Sequence, residues 1–243
     1  MKPSKSLTLP LTLASRLAAL ALLASAAAAQ AQSFCASDGQ PQPVQLMARF
    51  INADCGDCWS DPATPTPQAG QMALDWVIPG TQGDEAPLSA VASRDALAQL
   101  DAQGESIPER TLTQLRSVNA VRGATLRVAH GLPVADYLGA SIELKPIPAA
   151  ARRQPWRAWL ALVETLPAGT EGSPVERNLV RNVLESNWDG RKQLSKTEQT
   201  HFFETRSMNI APGASRERLR VMGWVEDGKG RVVAAAQSRC QAP

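Results

Sequence analysis

Cys55 and Cys58 are separated by Gly56 and Asp57, a spacing that lets two sulfurs close a tight disulfide or sit reduced side by side. When the first cysteine of such a pair is exposed at a helix N-terminus, the dipole and the free N–H groups stabilise its thiolate. Its pKa falls and it becomes a nucleophile toward disulfides, which the second cysteine then resolves. Trp59 follows directly and is an aromatic of the kind that packs beside such sulfurs. Two features oppose this chemistry. Pro62, Pro65 and Pro67 come within nine residues of Cys58 and interrupt a helix begun there. Asp57, between the sulfurs, disfavours a thiolate by like-charge repulsion. The alternative is an inert disulfide that stiffens a loop.

The other candidate groups are sparse. The chain has four cysteines, two histidines and one tyrosine. Four cysteines allow three pairings. We favour Cys55–Cys58 as a local pair and Cys35–Cys240 as a clamp between the chain ends, which would remove about 5 kcal/mol of unfolded-state entropy on the chain model. A zinc site needs four ligands, and His130 and His201 are remote in sequence from Cys55 and Cys58, so no metal is expected. His130, before Gly131-Leu132-Pro133, reads as a turn residue. No Ser–His–Asp set and no phosphate-cradling glycine loop can be nominated, and no cofactor is expected. Glu164 to Arg181 is a dense polar stretch. It reads as a solvated strand face with cross-strand ion pairs, or else as a binding rim for a partner or anion built on Arg177 and Arg181.

These groups need elements to hold them. The 243 residues are 44% hydrophobic and 20% charged, enough for a packed core and too apolar for wholesale disorder. Lys2, Lys5 and Arg16 precede the apolar run Leu17 to Ala29, and Ala29-Gln30-Ala31 offers small residues for cleavage, so residues 1–31 read as a secretory signal. Without those three cations, 22 basic residues face 23 acidic ones, a net charge of −1. That balance argues against a nucleic-acid or anionic-membrane partner, and no later segment reads as a membrane span. The expected location is outside the cytoplasm, periplasmic in a Gram-negative host, where four cysteines favour disulfides.

Val44–Asn52 reads as a buried strand running into Cys55, and Ala73–Ile78 as a second. Ser89–Ala102 reads as a helix and Glu109–Val118 as another. From about Val121 the texture changes to short strands: Thr125–Ala129, Tyr137–Lys145, Trp156–Glu164, Arg177–Ser186, Leu219–Glu226 and Arg231–Ser238. Gln193–Arg206 contributes a seventh, and Asp227-Gly228-Lys229-Gly230 is a hairpin turn. The expectation is an α+β chain with an N-terminal unit over 32–120 and a β-sandwich over 121–243.

Several residues carry a resemblance to a known group. They are the strand ending in Cys55-x-x-Cys58, Asp75-Trp76 with the following helix and Arg94, Glu171-Gly172, Arg177-Asn178-Leu179-Val180-Arg181 and Trp188-Asp189-Gly190. Over most of residues 40–240 the chain resembles exported thioredoxin-like proteins of bacteria and plants known only as a domain of unknown function. The resemblance implies a short thioredoxin-like domain followed by an immunoglobulin-like sandwich. It matches Cys55 and Cys58 to the group's paired cysteines. It also places Pro108, in Ser106-Ile107-Pro108, where thioredoxin-like folds carry a cis-proline against the sulfurs. The proline loop departs from the group's helix. Two functions follow as expectations: a thiol–disulfide oxidoreductase acting on envelope proteins with thiols or disulfides, or a non-catalytic envelope protein with structural disulfides only.

Overall fold

Apolar runs without alternation, such as QLMARFIN and QMALDWVI, need burial on both faces. In the computed structural model, which describes residues 35–191 and 200–240, they become two adjacent parallel strands, β2 (Gln45–Asn52) and β3 (Gln71–Ile78). The secretory signal lies outside the described residues, as does the first half of the expected strand Gln193–Arg206. The other strands are β1 (Cys35–Ala36), β4 (Thr111–Ser117), β5 (Thr125–His130), β6 (Tyr137–Lys145), β7 (Trp156–Leu166), β8 (Arg177–Trp188), β9 (Phe202–Asn209), β10 (Leu219–Glu226), β11 (Val232–Gln237) and β12 (Arg239–Cys240). Two α-helices, α1 (Gly56–Trp59) and α2 (Arg94–Ala102), both belong to the N-terminal half.

The strands form a seven-stranded sheet, β11-β10-β7-β8-β3-β2-β4, and a five-stranded sheet, β12-β1-β5-β6-β9. The architecture is α+β, a thioredoxin-like unit fused to a β-sandwich. Residue 120 falls between β4 and β5, where the chain passes from the larger sheet to the smaller. The N-terminal strands join the larger sheet through the parallel β3–β8 contact at Asp75 and Leu179, and Ser33–Pro243 is one compact unit.

Alternation along β7 and β10 assigns their side chains to two cores. Trp156, Ala158, Leu160 and Leu162 of β7, with Leu219, Val221 and Val225 of β10, pack against Leu126, Val128, Ile142 and Leu144 of the smaller sheet. Gly223 lies where the two sheets approach closely: a Cβ there would come within 2.7 Å of Val128 and 2.9 Å of Ile142. The opposite face carries Trp159 and Trp224, stacked at 5.8 Å, and Trp224 meets Trp76 edge-on at 6.5 Å. Helix α2 covers this face with Ala96 and Leu100. Just beyond β4, the Asn119 and Val121 N–H groups donate to the Val232 and Val233 carbonyls of β11, at 2.8 and 3.2 Å. The larger sheet therefore coils until its two edges approach each other around α2.

Two expected helices change. Glu109–Val118 is the strand β4, antiparallel to β2 with Leu112 opposite Phe50. The spacing of Leu112, Leu115 and Val118 mimics a helical stripe. The stretch TLTQLRS nevertheless alternates, with more and less exposed residues one by one, and threonine favours strands. The helix expected from Ser89 begins at Arg94, because the Ser93 hydroxyl caps it by accepting from the Ala96 N–H at 3.2 Å. Residues Ser89–Val91 form a separate 3-10 turn.

Candidate functional site

Strand β2 runs straight into the cysteine pair, and the Cys55 N–H donates to the Asn52 carbonyl at 3.0 Å. Cys55 precedes the first residue of α1, and Cys58 lies within that helix. The two are joined as a disulfide. Cys55 is 7% exposed and Cys58 2%, so attacking groups meet Cys55 first. Helix α1 has only four residues, after which the proline loop takes over, so its dipole contributes little to a thiolate. Asp57 Oδ1 lies 3.0 Å from Cys55 Sγ. A hydrogen bond from Arg110 at 2.8 Å holds the Asp57 carboxyl below the usual carboxylate range, against partial desolvation. Asp57 is thus an anion beside the sulfur at neutral pH.

Pro108 reaches this region from the other side. Its carbonyl accepts from Asn52 Nδ2 at 3.0 Å, at the entrance to β4. The expected cis bond is absent there: Ile107–Pro108 is trans, and the cis peptide among the described residues is Lys145–Pro146. The backbone here is positioned by Asn52, whose N–H also donates to the Arg110 carbonyl at 2.9 Å, and that pairing needs no cis turn.

Arg177 is not on a rim. It is fully buried at 0% exposure and spends its donors on Ser173 Oγ (2.9 Å), Asp75 Oδ1 (3.2 Å), the Trp59 carbonyl (2.9 Å) and Thr64 Oγ1 (3.1 Å). Its guanidinium carbon stands 4.9 Å from the centre of the Trp59 ring. Burial pulls its pKa below the ordinary arginine value while Asp75 opposes the shift. Asp75 also accepts from Arg49 Nη2 at 2.6 Å and from the Asn178 N–H at 2.7 Å. Arg49 Nη1 in turn donates to the Pro65 carbonyl at 2.8 Å. Three buried charges therefore fasten the proline loop and Trp59, the residue after Cys58, onto the sheet. The sequence reading used Asp75 only as part of the resemblance and passed over Arg49, although a charge inside an otherwise apolar strand is the signal that marks both.

Arg181 is largely buried too, bound to Glu164 Oε2 through Nε at 2.9 Å and Nη2 at 2.5 Å. It lines a groove of about 250 Å³ together with Trp59, Leu88 and Leu179. Trp59 Nε1 donates to the Glu171 carbonyl at 2.7 Å. Glu171 and Gly172 turn with positive φ of 49° and 74°, so that turn caps the indole.

The second disulfide joins Cys35 to Cys240. His130 is not a turn residue but the last residue of β5, paired with Cys35 across the ladder. Its Nδ1–H donates to the Gly131 carbonyl at 2.8 Å. Burial pushes the imidazole pKa below its usual value, and Nε2 is unpartnered. Cys35, His130 and Cys240 offer ligand atoms within 4.8 Å of one another, as do Cys55, Asp57 and Cys58. In the disulfide state neither group presents a thiolate to a metal.

No helix among the described residues is long and apolar enough to cross a membrane. No protein-family model and no curated protein matches the chain. Among solved structures it is similar to HBP35 of Porphyromonas gingivalis, with a TM-score of 0.50 and 12% sequence identity. The match covers 82% of this chain and 76% of that one. At that identity the likeness is one of fold.

Proposed function

We propose that the protein is an exported thiol–disulfide oxidoreductase, periplasmic in a Gram-negative host, of the thioredoxin-like group named above, acting through Cys55 and Cys58. The observation that carries this reading is a disulfide closed across Cys55-x-x-Cys58 at the end of β2 in a thioredoxin-like unit. In the dithiol form, the Cys55 thiolate attacks one sulfur of a substrate disulfide and expels the other as a thiolate, giving a mixed disulfide. Cys58 then attacks Cys55 Sγ, which releases the second substrate thiol and reforms the Cys55–Cys58 bond. The substrate gains two electrons and two protons, and an external dithiol must supply them again for another turnover.

The Asp57 carboxylate gives the reaction a direction. An anion 3.0 Å from Cys55 Sγ disfavours the thiolate and so favours the disulfide over the dithiol. The pair then belongs toward the reducing end of the catalytic range, nearer about −270 mV than about −120 mV. A second reading, in which the bond is purely structural, draws on the burial of both sulfurs.

Expression of Cys58→Ser in the cell envelope separates the two. Oxidoreductase chemistry leaves Cys55 trapped in mixed disulfides with envelope proteins, seen as thiol-sensitive bands that Cys55→Ser/Cys58→Ser lacks. Absence of such bands, with a Cys55–Cys58 potential below about −300 mV, overturns the proposal in favour of a structural bond.

A further inference from the structure

Away from the cysteines, the coiled sheet has a mouth, a cleft of about 410 Å³ between α2, β4 and the β10–β11 hairpin. The floor is a charge hub. The carboxylate of Glu226, itself buried, accepts from Arg116 Nη1 (2.7 Å) and Trp224 Nε1 (3.3 Å) on Oε1 and from Trp159 Nε1 (3.3 Å) on Oε2, where it also pairs with the Arg157 guanidinium (Nη2 at 3.1 Å). Arg116 also donates to the Gly230 carbonyl at 2.6 Å, so the hub ties β4 to the opposite edge of the sheet. With both oxygens engaged, Glu226 has little left to offer a ligand. Lys229 stands exposed on the rim. Among the lining residues, three cations face one carboxylate, and Glu105, bonded to Gln114, adds a second carboxylate beside them, so the cations stay in excess by one.

The walls hold unused amide groups. Gln99, on α2, is 3% exposed, and its Nε2 has no hydrogen-bond partner. Gln103 and Gln114 line the same cleft, and the Oε1 atom of each is a buried acceptor without a partner. Gln114 Nε2 is already committed to Glu105 Oε1 at 2.8 Å. A buried polar group left unpaired costs about 1–3 kcal/mol, so gathering one donor and two acceptors in one cleft calls for a molecule that pairs with them. Neutral carbonyl acceptors suit hydroxyl donors. An ammonium group would meet the excess of cations over carboxylates. The cations call for an oxyanion. The mouth of a coiled sheet is a frequent ligand position, and this volume lies within the range of small-molecule sites.

We propose that this cleft binds a small hydroxylated organic anion, a sugar acid or a sugar phosphate. The anionic group sits toward Lys229 and Arg157, and the hydroxyls pair with Gln99, Gln103 and Gln114. The site is independent of the thiol chemistry.

The test is titration of the full chain with D-glucuronate and with glucose 6-phosphate, followed by calorimetry and by NMR of the glutamine side-chain amides. Acetate and methyl glucoside serve as probes carrying only the charge or only the hydroxyls. We expect at least one of the two complete probes to bind at millimolar or lower concentration and to shift the Gln99, Gln103 and Gln114 amide signals. Each partial probe should bind at least about tenfold more weakly. Gln99→Leu should weaken binding about tenfold, and Lys229→Ala, on the exposed rim, severalfold with a flatter salt dependence. Whichever complete probe wins identifies a carboxylate or a phosphate as the anion. If neither shifts these amides, or if acetate binds as well as glucuronate, the proposal fails. Should Gln99→Leu not fold, Lys229→Ala and the amide shifts decide alone.

Discussion

Asp75 sits at 0% exposure between Arg49 and Arg177, and this one carboxylate explains why the loop after the cysteines has a fixed course. Each arginine carries a loop group with it, Arg49 the Pro65 carbonyl and Arg177 the Trp59 carbonyl and Thr64 hydroxyl. Removing one partner from a buried ionic cluster strands the others in low dielectric, at a typical cost of about 3–5 kcal/mol. Arg177→Met keeps most of the volume but leaves Asp75 with Arg49 as its remaining cation. We expect it to lower the unfolding free energy by about 3 kcal/mol, near the bottom of that range because Arg49 persists. Urea denaturation measures this directly. A loss under about 1 kcal/mol, the scale of an exposed pair, would mean that the cluster does not hold the loop. The same arginine was a natural candidate for a binding rim, since two arginines and an asparagine lie close together in sequence. Alternation puts Arg177 on the inner face of β8 beside Leu179, and only the three-dimensional pairing with Asp75 reveals it.

At the level of elements, the sheets meet where β10 carries a glycine instead of a side chain. Gly223→Ala places a methyl group 2.7 Å from Val128 Cγ1 and 2.9 Å from Ile142 Cδ1, contacts that force rotamer or backbone shifts. Overpacking of this kind costs about 1–3 kcal/mol. We expect Gly223→Ala to lower stability by that amount and the added Val128→Ala to recover part of it, read by the urea midpoint of each variant. Equal losses in the single and double variants would remove the close approach as the cause. Elements of this sort were unevenly legible. Strands β2, β3, β6 and β10 stand out in the sequence because burial on one or both faces writes itself as an apolar run or a strict alternation. Strand β4 did not, because an edge strand with one exposed face needs few apolar residues, and its two, Leu112 and Leu115, with Val118 just past its end, fall at helical spacing. The cleft at the sheet mouth was invisible for a different reason. Its polar lining residues come from α2 and the turn after it, β4, β7 and the last hairpin, as much as 130 residues apart in sequence (Gln99 to Lys229). The Cys55–Cys58 spacing, by contrast, is local and could be read at once.

For the molecule as a whole, the ends of the described chain meet at one edge of the smaller sheet. Strand β1 pairs with β12 at Cys35 and Cys240, with β5 alongside, and the Cα atoms of the two cysteines are 3.9 Å apart. Both terminal strands are two residues long, too short to hold by ladder hydrogen bonds alone. The disulfide bridges a sequence separation of 205 residues, whereas Cys55–Cys58 bridges three. On the chain-entropy model the long bridge contributes about 5 kcal/mol and the short one about 2 kcal/mol. Division of labour follows, with the long bridge holding the fold and the short one free to open and close without unfolding it. We therefore expect Cys35→Ala/Cys240→Ala to lose about 2–5 kcal/mol of stability in urea while Cys55 still forms mixed disulfides when Cys58 is also replaced. Cys55→Ala/Cys58→Ala should lose distinctly less stability and all exchange. The reverse order of stability losses would show that the short disulfide is the structural one, and the thiol chemistry proposed for it would then lack the freedom it needs.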